Sequence, residues 1–73
     1  MEFLKPKHTP QQNIALRVLN VLVDYNSEQI HYNNALETFN DLGGLDGIAN
    51  LMKWDDSVKE NWKVRIMNVY NIK

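Results

Sequence analysis

Asp41-Leu42-Gly43-Gly44-Leu45-Asp46-Gly47-Ile48-Ala49-Asn50-Leu51-Met52 is the stretch from which the rest of this sequence can be read. A helical apolar pattern arrives at Leu42, and a second apolar run begins at Leu45. Glycine reaches positive φ without the penalty that a Cβ imposes, so it suits the end of a helix. Gly43 and Gly44 therefore mark a structural corner between two helices, with one of them in the left-handed conformation. A side chain at either position is expected to clash, extend the incoming helix and re-aim the outgoing one.

Working back from the corner, Tyr32, Ala35, Leu36, Phe39 and Leu42 recur at three- and four-residue spacing, which predicts a helix over residues 28–42. Asp24-Tyr25-Asn26-Ser27 breaks the pattern, with Ser27 as the expected cap of that helix. Before it, Ile14, Leu16, Val18, Leu19, Val21, Leu22 and Val23 are apolar around most of a helical circumference. Thr9 can cap and Pro10 fits a first helical turn, so a helix is expected over residues 10–25, buried on more than one side. Residues 1–9, with Pro6 at the centre, read as an irregular arm pinned by Phe3 and Leu4.

Working forward, Leu45, Ile48, Ala49, Leu51 and Met52 give the inner face of a short helix over residues 45–54. Asp55-Asp56-Ser57 ends it, and Asp56 or Ser57 is the expected cap of a last helix over residues 57–70. Val58, Trp62, Ile66 and Val69 form its expected inner face. The fold class is all-α, with residues 10–73 as one four-helix domain.

Composition bounds the function. The chain has 73 residues, 44% of them hydrophobic, so it holds one small domain at most. A core of this size is marginal without a staple or a partner. No cysteine is present, which removes disulfides and thiolate metal sites. A net charge of −1 disfavours duplex nucleic acid as a partner, because neutralising phosphates needs a basic face. No apolar run approaches membrane-spanning length, so the expected setting is soluble and cytoplasmic. His8 and His31 lack zinc-ligand spacing, no nucleophile–base set has supporting context, and the glycine corner lacks the Lys-Ser/Thr of a phosphate loop. The expectation is a non-enzymatic protein without cofactor or metal.

The first and last helices resemble each other. Asn13-Ile14-Ala15-Leu16-Arg17-Val18-Leu19-Asn20-Val21 aligns with Asn61-Trp62-Lys63-Val64-Arg65-Ile66-Met67-Asn68-Val69 at an offset of 48 residues. Such an offset is near the period of helical solenoid repeats. With the glycine corner and the acidic turn between them, Glu28–Asn71 resembles one armadillo repeat, and Pro10–Tyr25 resembles the last helix of a preceding one. A HEAT-like relative fits equally. Leu42-Gly43-Gly44-Leu45-Asp46-Gly47-Ile48-Ala49-Asn50-Leu51-Met52 resembles the family's glycine-containing corner. The resemblance implies a right-handed stack of helices that binds a peptide or a helix of another protein. It also implies that Asn20 and Asn68 occupy the place of the family's peptide-binding asparagine.

Trp54, Trp62 and Arg65 join these as candidate partner-binding residues, since tryptophan and arginine dominate interface energies. The structural alternatives are interhelical hydrogen bonding for the asparagines, core packing for Trp62, and ion pairing of Arg17 and Arg65 with Asp24, Glu37 or Asp41. About one and a third repeats leave stacking faces open, so self-association into a homo-oligomer is also expected. A small regulatory protein, for example a viral one, that docks on and inhibits a host enzyme is the second functional reading. A helix-turn-helix nucleic-acid binder is disfavoured, because Leu45–Trp54 carries only Lys53 as a basic group.

Overall fold

The computed structural model describes residues 8–73. It is an all-α bundle of four helices: α1 (Pro10–Leu22), α2 (Gln29–Asp41), α3 (Gly44–Met52) and α4 (Asp56–Ile72). The arm expected over residues 1–9, with its pins Phe3 and Leu4, lies outside the described residues except for His8 and Thr9, which precede α1.

Thr9 caps α1 through a reciprocal pair. Its hydroxyl accepts from the Gln12 N–H at 3.1 Å, and its own N–H donates to Gln12 Oε1 at 2.9 Å. Gln12 Nε2 also donates to the Leu51 carbonyl at 2.9 Å, tying the start of α1 to the end of α3. α1 ends at Leu22, three residues short of the expected Tyr25. The cause is Asp24, whose carboxylate accepts from the Asn26 N–H at 2.9 Å while its carbonyl accepts from the Ser27 hydroxyl at 2.9 Å. Side chains of this kind offer the backbone an alternative to helix. Ser27 is spent there, so α2 starts at a Glu28 cap with no side-chain hydrogen bond.

At the corner both glycines have positive φ, 95° at Gly43 and 68° at Gly44. Space differs between them. A Cβ on Gly43 would lie 3.2 Å from Gly47 Cα, whereas one on Gly44 meets nothing closer than Phe39 Cε2 at 4.0 Å. A side chain at Gly43 would thus make a tight contact on top of its left-handed backbone, and at Gly44 the constraint is backbone conformation alone, so the clash expected at both positions is found at neither. α3 stops at Met52, because Lys53 turns left-handed at φ 58° and the Trp54 N–H closes back on the Ala49 carbonyl at 3.0 Å. α4 is capped by Asp55, one residue before the expected Asp56 or Ser57. The Asp55 carboxylate accepts from the Val58 N–H at 2.9 Å.

The core has two parts with α1 as their common axis. Val18 and Leu22 pack with Tyr32, Ala35 and Val69 at one end. Ala15 and Leu19 pack with Ile48 at the other, flanked by Trp54 and Trp62. Phe39 and Ile66 touch both parts. Val69, late in α4, thus packs with Val18 and Leu22, and Trp62, early in α4, packs against the cluster that holds Ala15 and Leu19, so α1 and α4 run parallel. Burial of α1 is one-sided: Ile14 is 46% exposed. On α4 only Val69 is fully buried; Trp62 and Ile66 are half-buried, and Val58, expected inward, is exposed.

Candidate functional site

Three of the sequence-predicted residues come together where α3 hands over to α4. The left-handed turn at Lys53 swings Trp54 out of helical continuation, and Trp62 reaches it from the second turn of α4. The indoles stack 5.7 Å apart at centroid with an interplanar angle of 3°. Parallel rings at this separation form an offset stack, which contributes beyond area burial. The Arg65 guanidinium lies 4.6 Å from the Trp62 ring centroid, within range of a cation–π contact. Both indoles are half-buried against the core and Arg65 is exposed. The result is a stack of two half-buried indoles with the permanent positive charge of Arg65 over the Trp62 ring.

Arg65 thus stacks on an aromatic ring. Among the described residues neither it nor Arg17 forms the ion pair with Asp24, Glu37 or Asp41 that the sequence led us to expect. Asn20 and Asn68 are both exposed, and among the described residues neither side chain makes a hydrogen bond, so the interhelical bond considered for them is absent there. They stand at matching positions of the parallel helices α1 and α4. Arg65 and Asn68 are three residues apart on α4 and share one side of it.

Gly43 and Gly44 line a cleft of about 620 Å³ between the corner and α4, with Asp46 and Lys59 across it. These two form an ion pair that bridges α3 and α4. The hydrogen bond from Lys59 holds the Asp46 carboxyl below its ordinary pKa, with the lysine's charge adding to the effect, and the same bond raises Lys59. Sequence reasoning missed this pair, since a separation of 13 residues across a turn follows no helical period. It also missed Tyr32, whose hydroxyl is buried without a partner among the described residues. Burial raises the Tyr32 pKa, with a smaller contribution from Tyr70. The described residues gather no metal-binding set of His, Asp and Glu, and none of their helices is long and apolar enough to cross a membrane. Comparison of the chain with family models, with curated proteins and with solved structures returns no match.

Proposed function

We propose that this chain is a non-enzymatic protein-interaction module of armadillo- or HEAT-like build, which holds a peptide or helix of a partner protein across α1 and α4. The observation that carries this reading is the parallel placement of α1 and α4 in the same sequence register, with Asn20 and Asn68 exposed at equivalent positions. An amide both donates and accepts, so each can pair with a peptide backbone without reading its side chains. Packed helices stand about 10 Å apart, which matches about three residues of extended chain. Two such amides can therefore grip one strand at two points. The Trp54–Trp62–Arg65 surface supplies the anchor: rigid aromatics lose little entropy on binding, and the guanidinium favours an acidic or carbonyl-rich partner.

Selection of binders from a random peptide library displayed against the whole chain tests this. Selected peptides should bind Asn20→Ala and Asn68→Ala each roughly tenfold more weakly, and the double variant more weakly still, with the melting temperature unmoved. Trp54→Ala should lose binding as well. A library that yields no binder overturns the reading, as do binders indifferent to both asparagines. Unfolding by Asn68→Ala would make that asparagine structural and would also sink it.

A further inference from the structure

α1 and α4 share a sequence pattern, yet their surroundings treat them differently. Ala15, Val18, Leu19 and Leu22 of α1 are all buried. The positions 48 residues later are Lys63, Ile66, Met67 and Tyr70. Of these, Ile66 is half-buried, Lys63 is exposed, Met67 is 51% exposed and Tyr70 is 60% exposed. In α1 this face receives α2 and α3. In α4 it looks across two clefts toward α2 and the glycine corner, and no Cα of α2 comes within 8 Å of a Cα of α4. Ile66 rests partly on the core, and among the described residues no helix covers Lys63, Met67 or Tyr70.

We propose that a second copy of this chain covers this face, its α4 laid antiparallel along the first. In an antiparallel pair about a two-fold axis at the Ile66–Met67 step, residues equally far from the axis meet. Ile66 then meets Met67 of the other copy, Lys63 meets the Tyr70 ring, and Glu60 meets Lys73. Each pairing occurs twice. The centre is apolar, the next layer sets a cation on an aromatic face, and the outer layer is an ion pair. The charge order along α4 selects this occupant: Asp56 and Glu60 lie toward one end of the face, where Lys59 is held in its ion pair with Asp46, and Lys73 lies at the other, so an antiparallel copy opposes unlike charges. A parallel copy would set like on like.

Lys73 Nζ donates to the Ser27 carbonyl at 2.6 Å and lies 5.4 Å over the Tyr32 ring. An ammonium has three donors, so it can hold a carboxylate of the second copy as well. Asn68 falls outside this stripe by helical spacing, so the dimer does not rest on the peptide-binding reading.

Sedimentation equilibrium of the full chain from micromolar to millimolar concentration at low salt tests the proposal. A reversible monomer–dimer equilibrium is expected. Glu60→Lys and Lys73→Glu should each weaken it by roughly tenfold or more, because like charges then face each other twice. An equimolar mixture of those two variants should dimerise again, as should the double variant alone. Met67→Asp should abolish association while the dilute protein still melts like the parent. A chain monomeric throughout overturns the proposal. So does a dimer indifferent to both charge reversals, or a mixture no stronger than its components. Loss of a different partner's binding by Met67→Asp, in a chain that stays monomeric, would assign the face to that partner and equally overturn it.

Discussion

Gly47 carries the tightest steric constraint at the corner, though its backbone is ordinary. A Cβ there would sit 2.0 Å from the Leu42 carbonyl oxygen, a backbone atom that cannot swing aside. Gly44→Ala meets open space and costs only its left-handed conformation, about 1 kcal/mol. Gly47→Ala forces the backbone apart and should cost more, roughly 2–3 kcal/mol. Denaturant midpoints should rank Gly44→Ala above Gly47→Ala, and equal midpoints would remove the close approach from the account. Tyr32 makes the opposite case. It is 3% exposed and its hydroxyl lacks a partner among the described residues, so Tyr32→Phe deletes a desolvated polar atom and keeps the ring. We expect a gain of about 1 kcal/mol, read as a higher melting temperature. A lower one would mean that the hydroxyl is satisfied in solution. Neither constraint is written in the sequence: Gly47 reads as one more small residue, and Tyr32 reads only as an apolar-stripe position.

α3 has nine residues, too few for an isolated helix to persist, and its Gly43 cap offers no side chain. Asp46 in its first turn complements the helix dipole and pairs with Lys59 of α4. The Asp46 carboxyl is held below its ordinary pKa in the folded chain. The unfolded chain therefore binds more protons in the acid range, and stability rises with pH there. This contribution is present above the ordinary aspartate pKa and is lost as pH falls through the depressed one. Carboxyl carbon shifts followed by NMR should show Asp46 titrating below an ordinary aspartate, and Lys59→Met should return it to the usual range. An unchanged titration in that variant would mean that the helix dipole alone sets the shift. At this scale the sequence was most legible. The spacing of apolar residues locates four helices, but their ends depend on competitions it does not resolve. Asp24 captures Ser27 and shortens α1, Lys53 turns left-handed and shortens α3, and of three consecutive capping residues Asp55 is the one that caps.

The whole molecule is built round α1, the one helix that gives fully buried residues to both parts of the core. The apolar circumference of α1 overstated its burial, which is confined to the side of Ala15, Val18, Leu19 and Leu22. The partial burial of α4 could not be read either, because Val64, Met67 and Tyr70 look like core residues until the positions of α1 and α2 are known. The Trp54–Trp62–Arg65 surface was legible as residue types and illegible as a unit, since the turn that brings Trp54 back depends on one positive φ at Lys53. Parallel α1 and α4 also carry a mechanical consequence. The described chain enters at the end of the bundle where α1 and α4 begin and leaves at the end where α4 finishes. Tension between Thr9 and Ile72 therefore drags the two helices lengthwise past each other. Val18, Leu22, Ile66 and Val69 must give way together, as in a lap joint, whereas a seam pulled open from one end would surrender them one at a time.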